Sequence, residues 1–217
     1  NSLYGAILNP GCRFFDLRIG QSVTLTGRCI TKHMGAKVNE VVTGNYDHRG
    51  EAIIYGDTDS VYFSAYKPLQ NEIQSGKIPW QKENIINLYD KISDEVNGSF
   101  TQFMTKAFHC PKTRGEVIAA GRELVASKGL FITKKRYAVL YFDKEGERTD
   151  TAGTPGKMKA MGLDLKRSDT PVFVQDFLSE LLMLVLTNKN EKEVLDRISK
   201  FREEFKARPG WEKGSPK

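Results

Sequence analysis

The sequence predicts an α+β fold, in which an antiparallel sheet packs against helices and a helical segment follows. Three observations support this prediction. Apolar residues recur at three- and four-residue spacings over residues 21–42 and 82–108, as in helices with one buried face. From residue 116 the apolar period falls towards two, as in strands. After residue 168 the spacing is helical again, so we expect a boundary there.

The first half of the chain is predicted to form two long helices separated by a β-hairpin. A polar turn follows the first helix, and two short apolar strands flank the sequence Gly-Asp-Thr-Asp, which is typical of a tight turn. The segment between the hairpin and the second helix is predicted to be irregular. In order, the elements are helix 21–42, turn 45–50, strands 52–55 and 60–63, irregular segment 66–80 and helix 82–108.

The second half is predicted to form an antiparallel meander and then two helices. The strands are 116–126, 130–142 and 148–152, and the clearest turn is 144–147. The helices are 171–186 and 191–205, followed by a loop to the end of the chain. Pro171 suits the first turn of its helix, with Asp169 or Thr170 as the cap.

The composition is that of a folded, soluble chain. Of its 217 residues, 39% are hydrophobic and 28% charged, which argues against a wholly disordered chain. No apolar run approaches the roughly 18 residues that span a bilayer. Cys12, Cys29 and Cys110 are an odd number at wide spacing. They disfavour a disulfide framework and provide no Cys-x-x-Cys metal pair.

The charge favours an anionic partner. The chain carries 33 Lys and Arg against 27 Asp and Glu, a formal charge of +6. Basic residues concentrate at 128–137, which contains no acid, and at 157–167, where Asp164 is the one acid. Nucleic acid is the partner that such segments suggest, although many basic proteins bind none.

The sharpest chemical feature is the sequence YGDTDS at residues 55–60. It holds the carboxylates of Asp57 and Asp59 close together, where like charges repel, so a partner of opposite charge is implied. Carboxylate oxygens suit Mg²⁺, which is commonly bound by one or two carboxylates plus substrate phosphates. The alternative is an acidic surface turn, because Asp-x-Asp by itself is frequent.

Several short motifs resemble those of one enzyme family. YGDTDS resembles motif C of the family B (Pol α-like) DNA polymerases. NSLYG, at residues 1–5, is similar to the second half of their motif B, and TKKRYA, at 133–138, to their KKRY motif. The segments FFDLR, KAMGLD and SDTP are similar to the replicative polymerases of T-even-type tailed bacteriophages. The motifs follow the family's order, and the resemblance covers almost the whole chain.

This resemblance implies a fragment of a DNA-directed DNA polymerase that adds dNTPs to a primer 3′ end by two-metal phosphoryl transfer with two Mg²⁺ ions. Residues 1–167 would form the palm, beginning with the end of a fingers helix, and 168–217 part of the thumb. The fragment is expected to be inactive alone, because motif A and the fingers are missing. Implied partners are primer-template DNA, dNTP, the rest of the polymerase and a sliding clamp, in the cytoplasm of an infected bacterium and without a membrane.

The resemblance also implies roles for individual residues. Asp59 matches the motif C aspartate that binds both metal ions. Asp57 matches the neighbouring aspartate, which is a weaker ligand or an electrostatic support. Lys135 and Tyr137 match positions that follow the minor groove at the primer end. Alternation along a strand would place those two side chains on one side, and Lys134 and Arg136, also candidate DNA contacts, on the other.

Further residues complete the implied site. Tyr4 and Gly5 would lie under the nascent base pair, with Asn1 near the incoming nucleotide. Glu123, after Arg122, would lie near the metals or have a structural role. Four basic residues would contact primer-template phosphates without sequence preference: Lys157, Lys159, Lys166 and Arg167.

Two other interpretations stay open. The chain could be a non-catalytic DNA-binding or assembly subunit that retains the palm fold. It could also be the natural half of a split polymerase, since genes of this family are often interrupted inside motif B. The intact Asp57, Asp59 and Lys135 favour a catalytic role over the first of these.

Overall fold

The computed structural model describes residues 2–214. The chain forms two compact units, residues 1–121 and residues 122–217. The mixture of helices and antiparallel sheets confirms the α+β prediction. The predicted division into palm and thumb at residue 168 stays a prediction. Within the described residues, no helix is both long enough and apolar enough to cross a membrane.

The first unit contains two long helices, three short ones and a hairpin. The long helices are α2 (Leu17–Thr43) and α4 (Lys82–Phe108). The short helices are α1 (Ser2–Leu8), α3 (Gln70–Gln74) and α5 (Lys112–Gly115). The hairpin consists of β1 (Ile53–Asp57) and β2 (Ser60–Phe63), paired antiparallel as predicted.

Helix α2 begins earlier than the apolar spacing predicts. Its N-cap is Asp16, whose carboxylate accepts hydrogen bonds from the backbone N–H groups of Arg18 and Ile19. Such a cap satisfies donors that the first helical turn leaves free. The helix ends at Gly44, whose φ of 80° is the left-handed conformation typical of helix C-termini. The added residues carry no regular buried face, so periodicity alone missed them.

The core of the first unit lies between α2, α4 and the hairpin. Its fully buried members are Val38 from α2 and Ile92, Val96 and Phe100 from α4. Each such side chain contributes about 1.5–3 kcal/mol by leaving water. Partly buried apolar residues surround them, including two from the hairpin, Ile53 and Phe63. This packing fixes the hairpin on the helix pair.

The second unit begins with a four-stranded antiparallel sheet whose central strand is β4. The strands are β3 (Leu124–Thr133), β4 (Arg136–Lys144), β5 (Glu147–Arg148) and β6 (Lys157–Met161). β4 pairs with each of the other three. Short 3₁₀ turns lie at Thr151–Gly153, Asp164–Lys166 and Gly210–Glu212.

The predicted strand limits in this region are wrong. Residues 116–123 are not a strand, because the Asn97 side chain takes up both backbone groups of Ala120. The Ala120 N–H donates to the Asn97 amide oxygen at 2.8 Å, and the Asn97 amide nitrogen donates to the Ala120 carbonyl at 2.9 Å. Residues 127–129 fall between two predicted strands but lie inside β3, where pairing with β4 is irregular around Ala126. The predicted strand 148–152 is reduced to β5, and β6 was not predicted. The predicted turn near Glu145 is confirmed.

Two helices complete the second unit, α6 (Val172–Leu186) and α7 (Glu191–Ala207). The prediction that Asp169 or Thr170 caps α6 is wrong. The N-cap is Pro171, without a side-chain bond, and Asp169 instead pairs with Arg167 at 2.6 Å. Leu186 of α6 belongs to the same buried cluster as Ala138 and Leu140 of β4, so the helix is packed on the sheet.

Candidate functional site

The paired aspartates lie at the tip of the β1–β2 hairpin. Asp57 pairs with Ser60 across the two strands, so Thr58 and Asp59 form a two-residue turn. Thr58 has a φ of 52°, which two-residue hairpin turns require but which a β-branched residue rarely adopts. Such a conformation costs on the order of 1–3 kcal/mol and persists where surrounding contacts hold it. The turn is therefore a restrained feature of the hairpin.

The two carboxylates have different surroundings. Asp57 is half-buried, and its carboxylate accepts hydrogen bonds from the Tyr55 hydroxyl at 3.4 Å and the Thr58 hydroxyl at 3.2 Å. Asp59 is exposed, and no side chain of residues 2–214 donates to its carboxylate. Asp59 thus keeps its oxygen lone pairs for an external cation, whereas Asp57 already has local donors.

One hydrogen bond connects this turn to a helix. The Thr31 hydroxyl of α2 donates to the backbone carbonyl of Thr58 at 2.8 Å. Nothing in the sequence pattern indicates this contact, because the residues lie 27 positions apart. Sequence reasoning missed Thr31, which supports the turn from outside the hairpin.

The donor set of the turn fits part of a magnesium site. Two carboxylates match the ligands that Mg²⁺ takes from proteins, with the remaining positions filled by water and phosphate oxygens. No group of three or more His, Cys, Asp or Glu side chains suited to a metal occurs among the described residues. The hairpin therefore offers two carboxylates of the kind that Mg²⁺ takes from proteins.

The residues matched to motif B lie on α1. Tyr4 and Gly5 are both exposed, and a side chain added at Gly5 would meet no atom within 4 Å. This open surface leaves room for a flat ligand to approach the backbone. Asn1, the third predicted nucleotide contact, lies outside the described residues.

The KKRY residues occupy a turn and the start of a strand, not one continuous strand. Thr133 pairs with Arg136, so Lys134 and Lys135 form a two-residue turn, and Lys135 has a φ of 61°. The predicted alternation of these four residues is wrong, because a reversal of the chain breaks it. Lys134, Lys135 and Arg136 are all exposed, whereas Tyr137 is buried.

Tyr137 is a packing residue in this structure. Its side chain is 6% exposed, and its ring stacks on Phe131 of β3 with centroids 5.5 Å apart. The exposed side chains of Lys134 and Lys135 therefore extend from a turn whose flanking strands are held together by the stacked rings of Phe131 and Tyr137. A direct contact between the Tyr137 ring and a ligand would require this pair to open.

Three of the remaining predicted residues, Glu123, Lys159 and Arg167, are engaged in ion pairs. The side chain of Lys166 lies outside the part of the chain that the structure describes. Lys159 of β6 donates to the Glu123 carboxylate at 2.6 Å. Arg122 pairs instead with the buried Asp143, so Arg122 and Glu123 have separate partners. Lys157 is exposed. A hydrogen bond from Arg167 lowers the pKa of Asp169 and raises the pKa of Arg167 itself. Glu123 and Asp169 thus offset part of the positive charge of the basic segment 157–167.

The chain is similar to proteins of one family. The sequence model of DNA polymerase family B matches residues 1–107 and 116–209. A DNA-directed DNA polymerase of Escherichia phage RB69 is 33% identical over 86% of this chain and 21% of its own length. The DNA-directed DNA polymerase of Enterobacteria phage T4 is 28% identical over 95% of this chain and 23% of its own length. DNA polymerase II of Escherichia coli is 28% identical over 93% of this chain and 23% of its own length. The chain spans less than a quarter of these relatives.

Proposed function

The chain belongs to DNA polymerase family B, and from this premise we propose that its β1–β2 hairpin carries metal ligands of a DNA polymerase active site. The polymerase would add dNTPs to the 3′ end of a primer on a DNA template. The observation that carries this proposal is the contrast within the turn. Asp59 is exposed and accepts no hydrogen bond from residues 2–214, while Asp57 beside it has local donors.

The two aspartates then have different tasks. Asp59 would hold two Mg²⁺ ions, and Asp57 would contribute negative charge and a weaker contact. When bound, a pair of such ions stabilises the attacking and leaving oxygens of phosphoryl transfer. The role of the protein is to keep the carboxylates fixed, so that no reorganisation accompanies the reaction. The hydrogen bonds within the turn and from Thr31 support that role.

Other residues would handle the substrates. The exposed Lys135, with Lys134 and Arg136 beside it, would contact DNA at the primer end, and Tyr137 would support that turn from below. Minor-groove acceptors occur at every base pair, so a Lys there does not depend on sequence. The remaining proposed contacts are Asn1, Tyr4 and Gly5 for the nucleotide, Lys159 for phosphate and Glu123 as an auxiliary acid.

We assign residues 1–167 to the palm and 168–217 to the thumb of this polymerase. The motif A aspartate and the fingers lysine have no counterpart in this sequence, so the 217-residue chain alone should not extend primers. The rest of the polymerase is therefore a required partner, alongside primer-template DNA, dNTP and a sliding clamp.

A reconstitution assay tests this function. The chain is mixed with a polypeptide that carries the fingers and motif A, and extension of a labelled primer is followed with Mg²⁺. We expect template-dependent extension in the mixture and none with either component alone. Extension by the 217-residue chain alone would contradict the proposed incompleteness. A folded mixture that binds DNA but never extends a primer would favour a non-catalytic DNA-binding subunit.

A further inference from the structure

A single side chain outside the hairpin is hydrogen-bonded to the turn that carries the two aspartates. The Thr31 hydroxyl lies 2.8 Å from the carbonyl oxygen of Thr58 and 3.0 Å from the carbonyl oxygen of Gly27 in its own helix. A hydroxyl has one hydrogen, so the closer and non-local acceptor is favoured. Within residues 2–214, all other hydrogen bonds of the turn residues 57–60 stay inside the hairpin.

This contact acts at the residue that determines the shape of the turn. Thr58 has a φ of 52°, and its neighbours on either side are Asp57 and Asp59. If Thr58 relaxes to a negative φ, the peptide groups on both sides rotate and the two carboxylates change their relative direction. Restraint of the Thr58 carbonyl therefore acts on both aspartates together.

Thr31 is well placed to transmit rigidity. It is half-buried on α2, two turns before Val38, which lies in the core beside Val96 and Phe100 of α4. The helix is thus anchored by packing that does not involve the turn. The hydrogen bonds within the hairpin lack such an external reference, since their donors move with the turn itself.

We infer that Thr31 is a positioning residue, which holds the Asp57–Asp59 turn in the geometry that binds the divalent cation. This inference rests on the proposed function, because it gives the fixed turn its purpose. Thr31 touches neither carboxylate, so it acts through the Thr58 carbonyl alone. Its hydroxyl is the group that matters, and serine should replace it while valine should not.

The ordinary alternative is a threonine that only bonds back to its own helix. Thr105 of α4 is an example, since its hydroxyl donates to the Thr101 carbonyl at 2.9 Å and has no partner outside the helix. Both threonines are half-buried in long helices of the same unit. Thr105→Val therefore reproduces the loss of a helix back-bond without affecting the hairpin.

The experiment compares Thr31→Val, Thr31→Ser and Thr105→Val in the 217-residue chain. Circular dichroism confirms folding, and amide hydrogen exchange at Asp57 and Ser60, which pair across the turn, is measured by NMR without metal. The amide shifts of Asp59 are then followed during a Mg²⁺ titration. For Thr31→Val we expect exchange at the turn to accelerate and the apparent Kd for Mg²⁺ to rise, each by about threefold to tenfold. Thr31→Ser and Thr105→Val should stay within about twofold of the wild type.

The outcomes separate this inference from the proposed function. If Thr31→Val leaves both turn exchange and the Mg²⁺ midpoint unchanged, Thr31 does not position the turn. If Thr105→Val changes the turn as much as Thr31→Val does, the effect is general helix destabilisation and the inference is wrong. If the wild-type turn shows no response to Mg²⁺, its two carboxylates do not bind the cation by themselves, and the inferred purpose of Thr31 is wrong. The metal-free exchange rates still report whether the hydrogen bond restrains the turn.

Discussion

Gly162 lies directly against the backbone carbonyl of Lys135, where the end of β6 meets the β3–β4 turn. A methyl group at Gly162 would collide with that oxygen, and the φ of Gly162 is 64°. The turn that presents Lys134 and Lys135 therefore depends on a residue without a side chain, directly after the last residue of β6. Two adjacent left-handed positions, at Lys135 and Gly162, shape this corner of the sheet.

Gly162→Ala should destabilise the chain and displace the Lys135 turn. The conformation costs about 1–2 kcal/mol and the collision about 1–3 kcal/mol, for a loss of roughly 2–5 kcal/mol. Gly146→Ala is the matched control, because Gly146 has a φ of 90° but open space around it. Its loss should stay near 1–2 kcal/mol. Urea unfolding measures both, and equal losses would show that the contact with Lys135 is unimportant.

Asp59→Asn should abolish primer extension by the assembled polymerase, and Asp57→Asn should reduce it less. Asparagine keeps the shape of the side chain and removes the charge, so folding is preserved while metal binding is weakened. Loss of one transition-state-stabilising group costs on the order of 10²–10³ in rate, and a ligand shared by two ions should cost at least that. Single-turnover extension at several Mg²⁺ concentrations is the measurement. Near-normal extension by Asp59→Asn at limiting Mg²⁺ would show that the metal assignment is wrong and that the turn is only structural.

Glu123→Gln should strengthen DNA binding by about twofold to fivefold, because it releases Lys159 from an ion pair of modest energy. The increase should be equal for unrelated duplexes and should shrink as salt rises. Glu203→Gln removes the same charge from an exposed pair with Lys206 and serves as the control. In a Lys159→Ala background the effect of Glu123→Gln should disappear. If Glu123→Gln instead shifts the Mg²⁺ requirement of extension, Glu123 acts on the metals.

Simultaneous replacement of Lys135 and Lys159 by Ala should weaken DNA binding to a similar extent for duplexes of different sequence. Contacts with phosphates and with generic minor-groove acceptors carry little sequence information. Fluorescence anisotropy at several salt concentrations gives both the affinity and its salt dependence. A strong preference for one duplex, or affinity that does not change with salt, is the contrary result.

Stability should fall in mildly acidic solution because of His33. Its burial, and then the nearby Lys37, lowers the pKa of this imidazole, although Glu40 opposes the shift. The ring lies 2.7 Å from the Tyr46 hydroxyl and 2.9 Å from the Ser99 hydroxyl. The unfolded chain binds the proton more tightly, with a pKa of about 6.5. The stabilisation is therefore complete above that pH and is lost as the pH falls through it towards the lower folded pKa.

His33→Gln should flatten this part of the stability profile. We expect the difference in unfolding free energy between about pH 7.5 and pH 5 to be smaller in the variant, even if its stability is lower throughout. His109→Asn is the control for the loss of a histidine, because His109 is exposed at the left-handed end of α4 and takes no part in the hydrogen bonds of His33. Chemical denaturation at each pH is the measurement, and an unchanged slope in His33→Gln would assign the pH dependence to other groups.

The elements that depend on local interactions could be predicted from the amino-acid sequence. Helix α4 begins and ends at the predicted residues, because its apolar spacing and length specify one buried face. The β1–β2 hairpin was predicted from two apolar strands around a polar turn. The candidate site at Asp57 and Asp59 was predicted in the same way, since two acids separated by one residue in a polar turn are visible in the sequence.

The features that depend on pairing between distant segments are visible only in the folded structure. Strand β6 lacks a clear sequence signal and exists because it pairs with β4, and the reversal at Lys135 depends on which residues of β3 and β4 face each other. The Thr31–Thr58 bond, the Lys159–Glu123 pair and the contact of Gly162 with Lys135 are of the same kind. A sequence pattern records what each segment prefers locally. Register and side-chain partners are chosen only when the segments meet, because only then do burial, hydrogen bonding and steric exclusion act between them.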